Sequence, residues 1–288
     1  MSDHSNPRQE FSTYIMQERG DEKTLAQLHN QDQMMTADMG GVLPEQSDPT
    51  VFERVLDVGC GTGGWLIEAA QTYPTLSQLT GIDINGQLIT YASEQAAAHH
   101  VDDRVRFRVM DALRVLNLPS ASFDLVNLRL GVSYLRVWDW PLLLSEFLRV
   151  SRVGGVIRIT EADMLETTSP ALNRFNDLLL RAFHQSGHFF TPEHEGAMNG
   201  LTHLLRQAGL QNVQTYSYLL QYRAGTPEGK RYYENMKFAM QTFQNFFRKW
   251  NNASDNYELL SQQALNEMQH PDFVANWKLL TAWGNNRK

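Results

Sequence analysis

The run Val55-Leu56-Asp57-Val58-Gly59-Cys60-Gly61-Thr62-Gly63-Gly64 sets one carboxylate among four glycines within ten residues. A short apolar run ending in glycines reads as a buried strand that turns tightly into a helix. Lacking Cβ atoms, such a turn lets the backbone approach a ligand closely. Taken loosely, Gly59-x-Gly61-x-x-Gly64 satisfies the dinucleotide fingerprint, with Asp83 near the place of a ribose-binding acid. A nicotinamide-dependent oxidoreductase follows from that reading. Asp57 and Asp111 point elsewhere. Asp57 lies two residues before the first glycine, and Asp111 ends a third strand as Asp83 ends a second. Three carboxylates around one glycine turn sit badly with a pyrophosphate. They suit a ligand that carries an ammonium, a ribose diol and an adenine amine.

A second group of residues has the chemistry to handle an acceptor. Tyr134 and Trp138 follow the fourth strand, at the carboxyl edge where open α/β sheets bind ligands. Arg129 stands on the same edge, facing the ligand or an acid. His184 and His188 are four apart and would share one face of a helix, with Glu193, His194 and Glu195 nearby. No spacing among them is diagnostic of a metal, and none is expected. Tyr134, His184 and His188 are therefore the candidate catalytic residues. Glu161 and Asp163 end the fifth strand, where they line an acceptor pocket or cap the next helix. Tyr14 either closes over the ligand or pins an N-terminal helix. Tyr216, Tyr218 and Tyr222 share one face of a strand and read as core or sheet surface; Phe243, Phe246, Phe247 and Trp250 share one face of a helix and read as core packing. An insertion this aromatic nevertheless suits an apolar or aromatic acceptor. Cys60 has no base beside it that would make it a nucleophile.

These residues need a scaffold, and the hydrophobic pattern supplies one. Residues 1–50 read as one or two helices that end at Gly40-Gly41, with Pro44 and Pro49 marking a linker. Strands are expected at 55–58, 78–84, 104–109, 123–127, 153–161 and 212–223, with a last one across Trp277, Leu279, Thr281 and Trp283. Helices are expected at 62–72, 86–98, 139–150 (capped by Asp139), 168–185 and 197–208, followed by a mostly helical stretch at 227–267. Such alternation implies a doubly wound, Rossmann-like α/β sheet of seven strands with N-terminal helices and a helical insertion before the last strand. Two units are expected: a helical lid at 1–49, and a ligand-binding domain at 50–288 with the insertion at about 225–267.

Composition narrows the class. The chain has 288 residues, long enough for a full core. Lys and Arg number 25 against 32 Asp and Glu, a net charge of −7. That disfavours a partner held by its phosphates. Residues 1–50 hold nine acidic and three basic residues and so carry most of the excess. One cysteine excludes an internal disulfide framework. No apolar run reaches membrane-spanning length and the N-terminus lacks a secretory pattern, so a cytoplasmic protein with a small-molecule substrate is expected. A homodimer or higher homo-oligomer is left open.

The string Leu56-Asp57-Val58-Gly59-Cys60-Gly61-Thr62-Gly63 resembles the first motif of the class I S-adenosylmethionine-dependent methyltransferases. Residues 123–163 resemble the fourth and fifth strands of the same family, closest to small-molecule branches such as the ubiquinone and menaquinone biosynthesis enzymes. Ala208-Gly209-Leu210 matches the helix end before the sixth strand. The resemblance covers roughly residues 50–223 and the final strand. It implies S-adenosylmethionine as cofactor. Asp57 and the backbone of Gly59, Cys60, Gly61, Thr62 and Gly63 would lie around the methionine moiety, Asp83 with Ile84 at the ribose, and Asp111 with Ala112 at the adenine. Asn127, Arg129 and Tyr14 complete the implied cofactor set. Two departures stand out: Val153 replaces a proline before Gly154-Gly155, and Tyr134 stands where several relatives carry a histidine suspected as base. Methyl transfer from a sulfonium is an in-line displacement whose donor is already activated. Alignment of the nucleophile can supply ~7–11 kcal/mol of barrier reduction; a base is needed only for a protonated acceptor. The acceptor atom (O, N or C), C-methylation coupled to cyclisation, and a non-catalytic binding module of the same fold stay open.

Overall fold

The computed structural model describes residues 22–163, 165–188, 197–250 and 256–287. Its centre is β1 (Arg54–Val58), whose last four residues are buried. β1 pairs in parallel with β2 (Gln78–Asp83) on one side and β4 (Phe123–Arg129) on the other. β3 (Val105–Val109) continues beyond β2, and β5 (Ser151–Ala162) beyond β4. The strand order therefore reverses between β1 and β4. Their carboxyl ends form the topological switch point, where this architecture opens its ligand crevice.

β8 (Val274–Asn285) runs antiparallel between β5 and β7 (Gln211–Arg223). The seven expected strands are all present, and one more was not expected. β6 (Glu166–Thr167) resumes the line of β5 along β8 after the chain leaves the ladder at Asp163. Trp277 fixes that break by donating its indole N–H to the Asp163 carbonyl at 3.0 Å. Two residues show no period, which is why this strand is not legible in sequence.

Alternation along each strand divides the residues between two faces. Val55 and Asp57 face α2 (Gly64–Thr72), beneath Trp65, Leu66, Val42 and Leu43. Leu56, Val58, Leu128, Ile157 and Ile159 face α4 (Trp140–Val150) and α6 (Ala197–Ala208). α3 (Gly86–Ala98) packs on β2 and β3 and is capped by Asn85, whose side chain accepts the Gln87 N–H at 2.9 Å. Asp139 was expected to cap α4. Its carboxylate instead accepts the Arg136 N–H at 2.9 Å and closes the turn before the helix.

A third cluster joins α5 (Pro170–Gln185), α7 (Pro227–Trp250) and α8 (Tyr257–Glu267) to β7 and β8. The aromatics of the insertion are core here. Phe175 lies 5.1 Å from Phe247 and 5.8 Å from Tyr257 between ring centroids, and Phe183 lies 5.4 Å from Phe246. Tyr257 donates its hydroxyl to the Met240 carbonyl, tying α8 to α7. Tyr257→Phe keeps the ring and removes that bond. It should cost about 0.5–1.5 kcal/mol in urea unfolding; an unchanged midpoint would show that the bond contributes nothing.

α1 (Glu22–Asp38) bridges these layers. It packs on α2, and its Gln27 donates to Asn235 of α7 at 2.6 Å. The chain then turns at Gly40 and Gly41, both with positive φ, as the sequence suggests. Among the described residues, no helix is long and apolar enough to cross a membrane.

Candidate functional site

The glycine turn follows β1 directly. Gly59 N–H and Cys60 N–H both donate to the Ile82 carbonyl, at 2.8 and 3.0 Å, which ties the turn to the end of β2. Two of its glycines cannot be replaced without movement. Gly59 has φ +69°, and a Cβ there would lie 2.6 Å from the Tyr134 hydroxyl. Gly63 has φ +77°, and its Cβ would meet the Phe107 ring at 2.5 Å. Both positions combine left-handed backbone with close approach, so glycine alone fits them.

Two cavities meet at this turn and share Gly59. The first, of about 80 Å³, is lined by Asp83, Ile84, Met110, Asp111, Ala112 and Tyr134, among others. The second, of about 170 Å³, is lined by the turn from Gly59 to Thr62 together with Asp57, Arg129 and, from α1, Leu28, Asp32 and Met35. Asp83 reaches back to the turn, accepting the Gly61 N–H at 3.1 Å and the Asn85 N–H at 2.9 Å. Asp111 accepts the Leu113 N–H at 2.9 Å and the Arg114 Nε–H at 3.2 Å. Ile84, half-exposed at 55%, offers an apolar surface between these acids. The sequence-derived set of Asp57, Gly59, Cys60, Gly61, Thr62, Asp83, Ile84, Asp111, Ala112 and Arg129 thus gathers around one crevice. Gly63 lies behind it, where it lets Phe107 pack.

Asp57 is the most deeply placed acid of the site. It is 3% exposed and accepts a hydrogen bond from Asn127 Nδ2 at 2.8 Å. Burial pushes its carboxyl up to about 7, against the pull of Arg129 and the Asn127 amide. Asn127 is fully buried and is absent from the lining of both cavities. Its carbonyl accepts from Arg158 Nη1 at 2.8 Å. Arg158 in turn forms a two-pronged pair with Glu45, at 2.7 and 3.1 Å, and Tyr218 donates to the same carboxylate at 3.1 Å. The register aligns Asp57 with Asn127 and Asn127 with Arg158, so three neighbouring strands hold one row of polar side chains on one face. Burial alone would raise Glu45, but the charge and hydrogen bonds of Arg158 outweigh it and hold the carboxyl below its usual range.

The sequence reading missed Asp32, Glu45 and Arg158. Asp32, on α1, accepts the Trp65 N–H at 3.0 Å at the start of α2 and pairs with Arg129. Its signal was present: Leu28, Asp32 and Met35 follow i, i+4, i+7, a charge set in an apolar stripe. His29, on the same helix, lies 3.3 Å from the Thr62 hydroxyl, and burial lowers its pKa despite Asp32. Burial, then Asp57 and Asp83, push the Cys60 thiol well above its ordinary range, so it is no nucleophile.

The acceptor-side candidates divide. Tyr134 closes the turn Gly131–Tyr134 after β4 and lies against Gly59, inside the crevice. His184 is exposed on α5. The shared helical face expected for His184 and His188 is not formed, because α5 ends at Gln185 and Gly187, with φ +82°, turns the chain. His188 is 1% exposed, 2.7 Å from Ser186 Oγ through Nδ1, with Phe183 and Phe246 edge-on. Gly187 is covered by Trp138, and its carbonyl accepts the Val137 N–H at 2.8 Å, so this corner abuts the loop that carries Tyr134. Tyr14, Glu193, His194 and Glu195 lie outside the described residues. Among the described residues no group of three or more His, Cys, Asp or Glu is placed to hold a metal.

Glu161, fully buried at the end of β5, supports the same loop by accepting the Val132 N–H at 3.2 Å. Burial pushes its carboxyl up to about 8. The folded chain therefore keeps a proton that the unfolded chain releases near 4.5, and stability falls as pH rises between those values. Glu161→Gln should lose that component of the slope, read as a smaller stability difference between pH 5 and pH 8 in urea titrations. Equal slopes for variant and parent would refute it.

Residues 55–155 match a family model described as a methyltransferase domain. That match spans the glycine turn, Asp83 and Asp111. The chain is 34% identical over 137 residues to 27-O-demethylrifamycin SV methyltransferase of Amycolatopsis mediterranei, a match covering 48% of this chain and 46% of that protein. It is 26% identical over 179 residues to demethylmenaquinone methyltransferase of Bacillus licheniformis, covering 57% and 72%. The match thus spans less than half of the rifamycin relative's length. The fold of the chain is similar to that of a geranyl diphosphate methyltransferase solved with S-adenosylmethionine. The TM-score is 0.53 at 17% identity, covering 96% of this chain and 94% of that one.

Proposed function

We propose that the chain transfers the sulfonium methyl group of S-adenosylmethionine to an O, N or C atom of a small, apolar or aromatic acceptor. The observation that carries the reading is the pair of adjoining cavities around Gly59. One presents Asp83, Ile84, Asp111 and Ala112, groups suited to a ribose diol and an adenine; the other presents Asp57, Asp32 and Arg129, suited to an amino-acid head. In this reading Tyr134 stands where donor and acceptor meet and contributes as a wall or as a hydrogen-bonding partner of the acceptor. His188 supports the Tyr134 loop from its buried corner. Residues 1–49 act as a lid on a domain formed by residues 50–288. The relatives methylate a rifamycin and a menaquinone precursor by name, which supports an acceptor of polyketide or quinone type. The setting proposed is the cytoplasm, without a nucleic-acid partner.

The deciding experiment incubates the protein with methyl-labelled S-adenosylmethionine and a panel of quinols and polyketide phenols, read by mass spectrometry. Transfer of label to one of them is the expected result. Calorimetry that found NADH binding and no S-adenosylhomocysteine binding would return the chain to the oxidoreductase reading. Asp83→Ala should weaken S-adenosylhomocysteine about ten-fold or more, the loss of charged hydrogen bonds worth about 1.5–3 kcal/mol. Unchanged affinity would remove Asp83 from the ribose site.

A further inference from the structure

The larger cavity holds an arrangement that the glycine turn does not require. Its wall carries two carboxylates, Asp57 and Asp32, and one guanidinium, Arg129. Asp57 belongs to β1 and Arg129 to β4, but Asp32 comes from α1, far away in sequence. Arg129 is bound to α1 twice, through Nη2 to the Asp32 carboxylate and through Nη1 to Thr36 Oγ1 at 3.0 Å. Their side chains are 10% and 19% exposed, for Arg129 and Asp32 respectively. The second Asp32 oxygen sits on the Trp65 N–H at the start of α2. A carboxylate thus occupies the meeting point of a guanidinium and a helix N-terminus, both of which attract anions.

A zwitterionic α-amino acid head carries one carboxylate and one ammonium. One cation and two anions around a single cavity are the complement of that head, with one acid in excess to offset the cation when no ligand is bound. We propose that Asp32 is a cofactor-binding residue. In this arrangement Arg129 receives the carboxylate of the amino-acid end of the cofactor, while Asp32 and Asp57 receive its ammonium. The Asp32–Arg129 pair is then a placeholder that exchanges partners when the ligand enters, and α1 is held to the sheet through the ligand rather than by the pair alone. The consequence is selectivity for an intact amino-acid tail, read by a helix outside the matched methyltransferase domain.

This inference rests on the reading of the crevice as an S-adenosylmethionine site, and the test separates the two. Calorimetry compares S-adenosylhomocysteine with 5′-methylthioadenosine, which keeps the nucleoside and lacks the amino-acid tail. Hydrogen exchange of the α1 amides is followed with each ligand. The parent should bind both and show slower exchange in α1 with S-adenosylhomocysteine only. Asp32→Asn should weaken S-adenosylhomocysteine at least ten-fold and leave 5′-methylthioadenosine within two-fold. Should Asp32→Asn fail to fold, Asp32→Glu, which keeps the charge but displaces it by a methylene, is expected to show the same selective loss. Equal losses for both ligands would make Asp32 a structural pin of the glycine turn and overturn the proposal. So would no loss for either, with the cofactor reading intact. Failure of the parent to bind either ligand would overturn both.

Discussion

Arg158→Met is expected to remove about 3–5 kcal/mol of folding stability, the range for stripping one partner from a buried ion pair. Arg158 is fully buried, and so is the side chain of Glu45 that it grips. Removing the guanidinium leaves a carboxylate inside the protein with Tyr218, Gln46 and its own backbone N–H donating to it. It also strips the donor from the Asn127 carbonyl. The double variant Arg158→Met/Glu45→Leu should recover most of the loss, because two apolar groups avoid the desolvation that the ion pair must overcome. Urea unfolding at pH 7 measures both, and a loss below about 1 kcal/mol for the single variant would contradict the argument. The pair also has a pH signature. The folded pKa of Glu45 is lowered, so the contribution is present above its unfolded value of 4.5 and lost as pH falls through the folded one. The recovered double variant is informative for binding. Asn127 still donates to Asp57 but is no longer held from behind, so cofactor affinity should stay reduced where stability has returned.

Much of this could be read in the sequence, and what could not shares one physical cause. The glycine turn, Asp57, Asp83 and Asp111 lie on strands whose apolar runs and glycine endings are local signals, and they gather as expected. The helices at 86–98 and 197–208 start and stop where periodicity and glycine placed them. The polar row behind the site was not legible, because its pairs join residues distant in the chain. Asp32 and Arg129 are 97 positions apart, and Glu45 and Arg158 are 113 apart. One clue was available. Val156-Ile157-Arg158-Ile159 sets an arginine inside an apolar strand, and a charge in such a place needs a partner. The acidic N-terminal arm supplies it. Asp32, Asp38 and Glu45 are turned inward, onto Arg129, Tyr222 and Arg158. Part of the arm's charge excess is thus paired inside the fold.

Asp57→Asn is expected to weaken S-adenosylhomocysteine by about 100-fold or more, if removing one partner of a buried, desolvated pair costs about 3–5 kcal/mol. The variant should also change the pH dependence, which distinguishes electrostatics from shape. In the free protein burial raises the Asp57 carboxyl to about 7, so near neutrality it is divided between its neutral and ionised forms. An ammonium placed against it stabilises only the ionised form and lowers the pKa of the complex. Binding therefore releases a proton below pH 7. Affinity should rise with pH by up to about ten-fold per unit towards 7 and level off above it, since one pKa unit corresponds to about 1.36 kcal/mol. Asn127 sets the geometry in both forms, for its amide donates to Asp57 Oδ1 while Arg158 holds its carbonyl. Asparagine at position 57 is nearly isosteric but cannot ionise, so its weak binding should lose this component of the pH dependence between 5 and 8. Calorimetry in buffers of different ionisation enthalpy reports the proton directly. Release by the parent that is absent in Asp57→Asn is the expected pattern. Equal release by both would assign the proton to another group and leave Asp57 with a steric role alone.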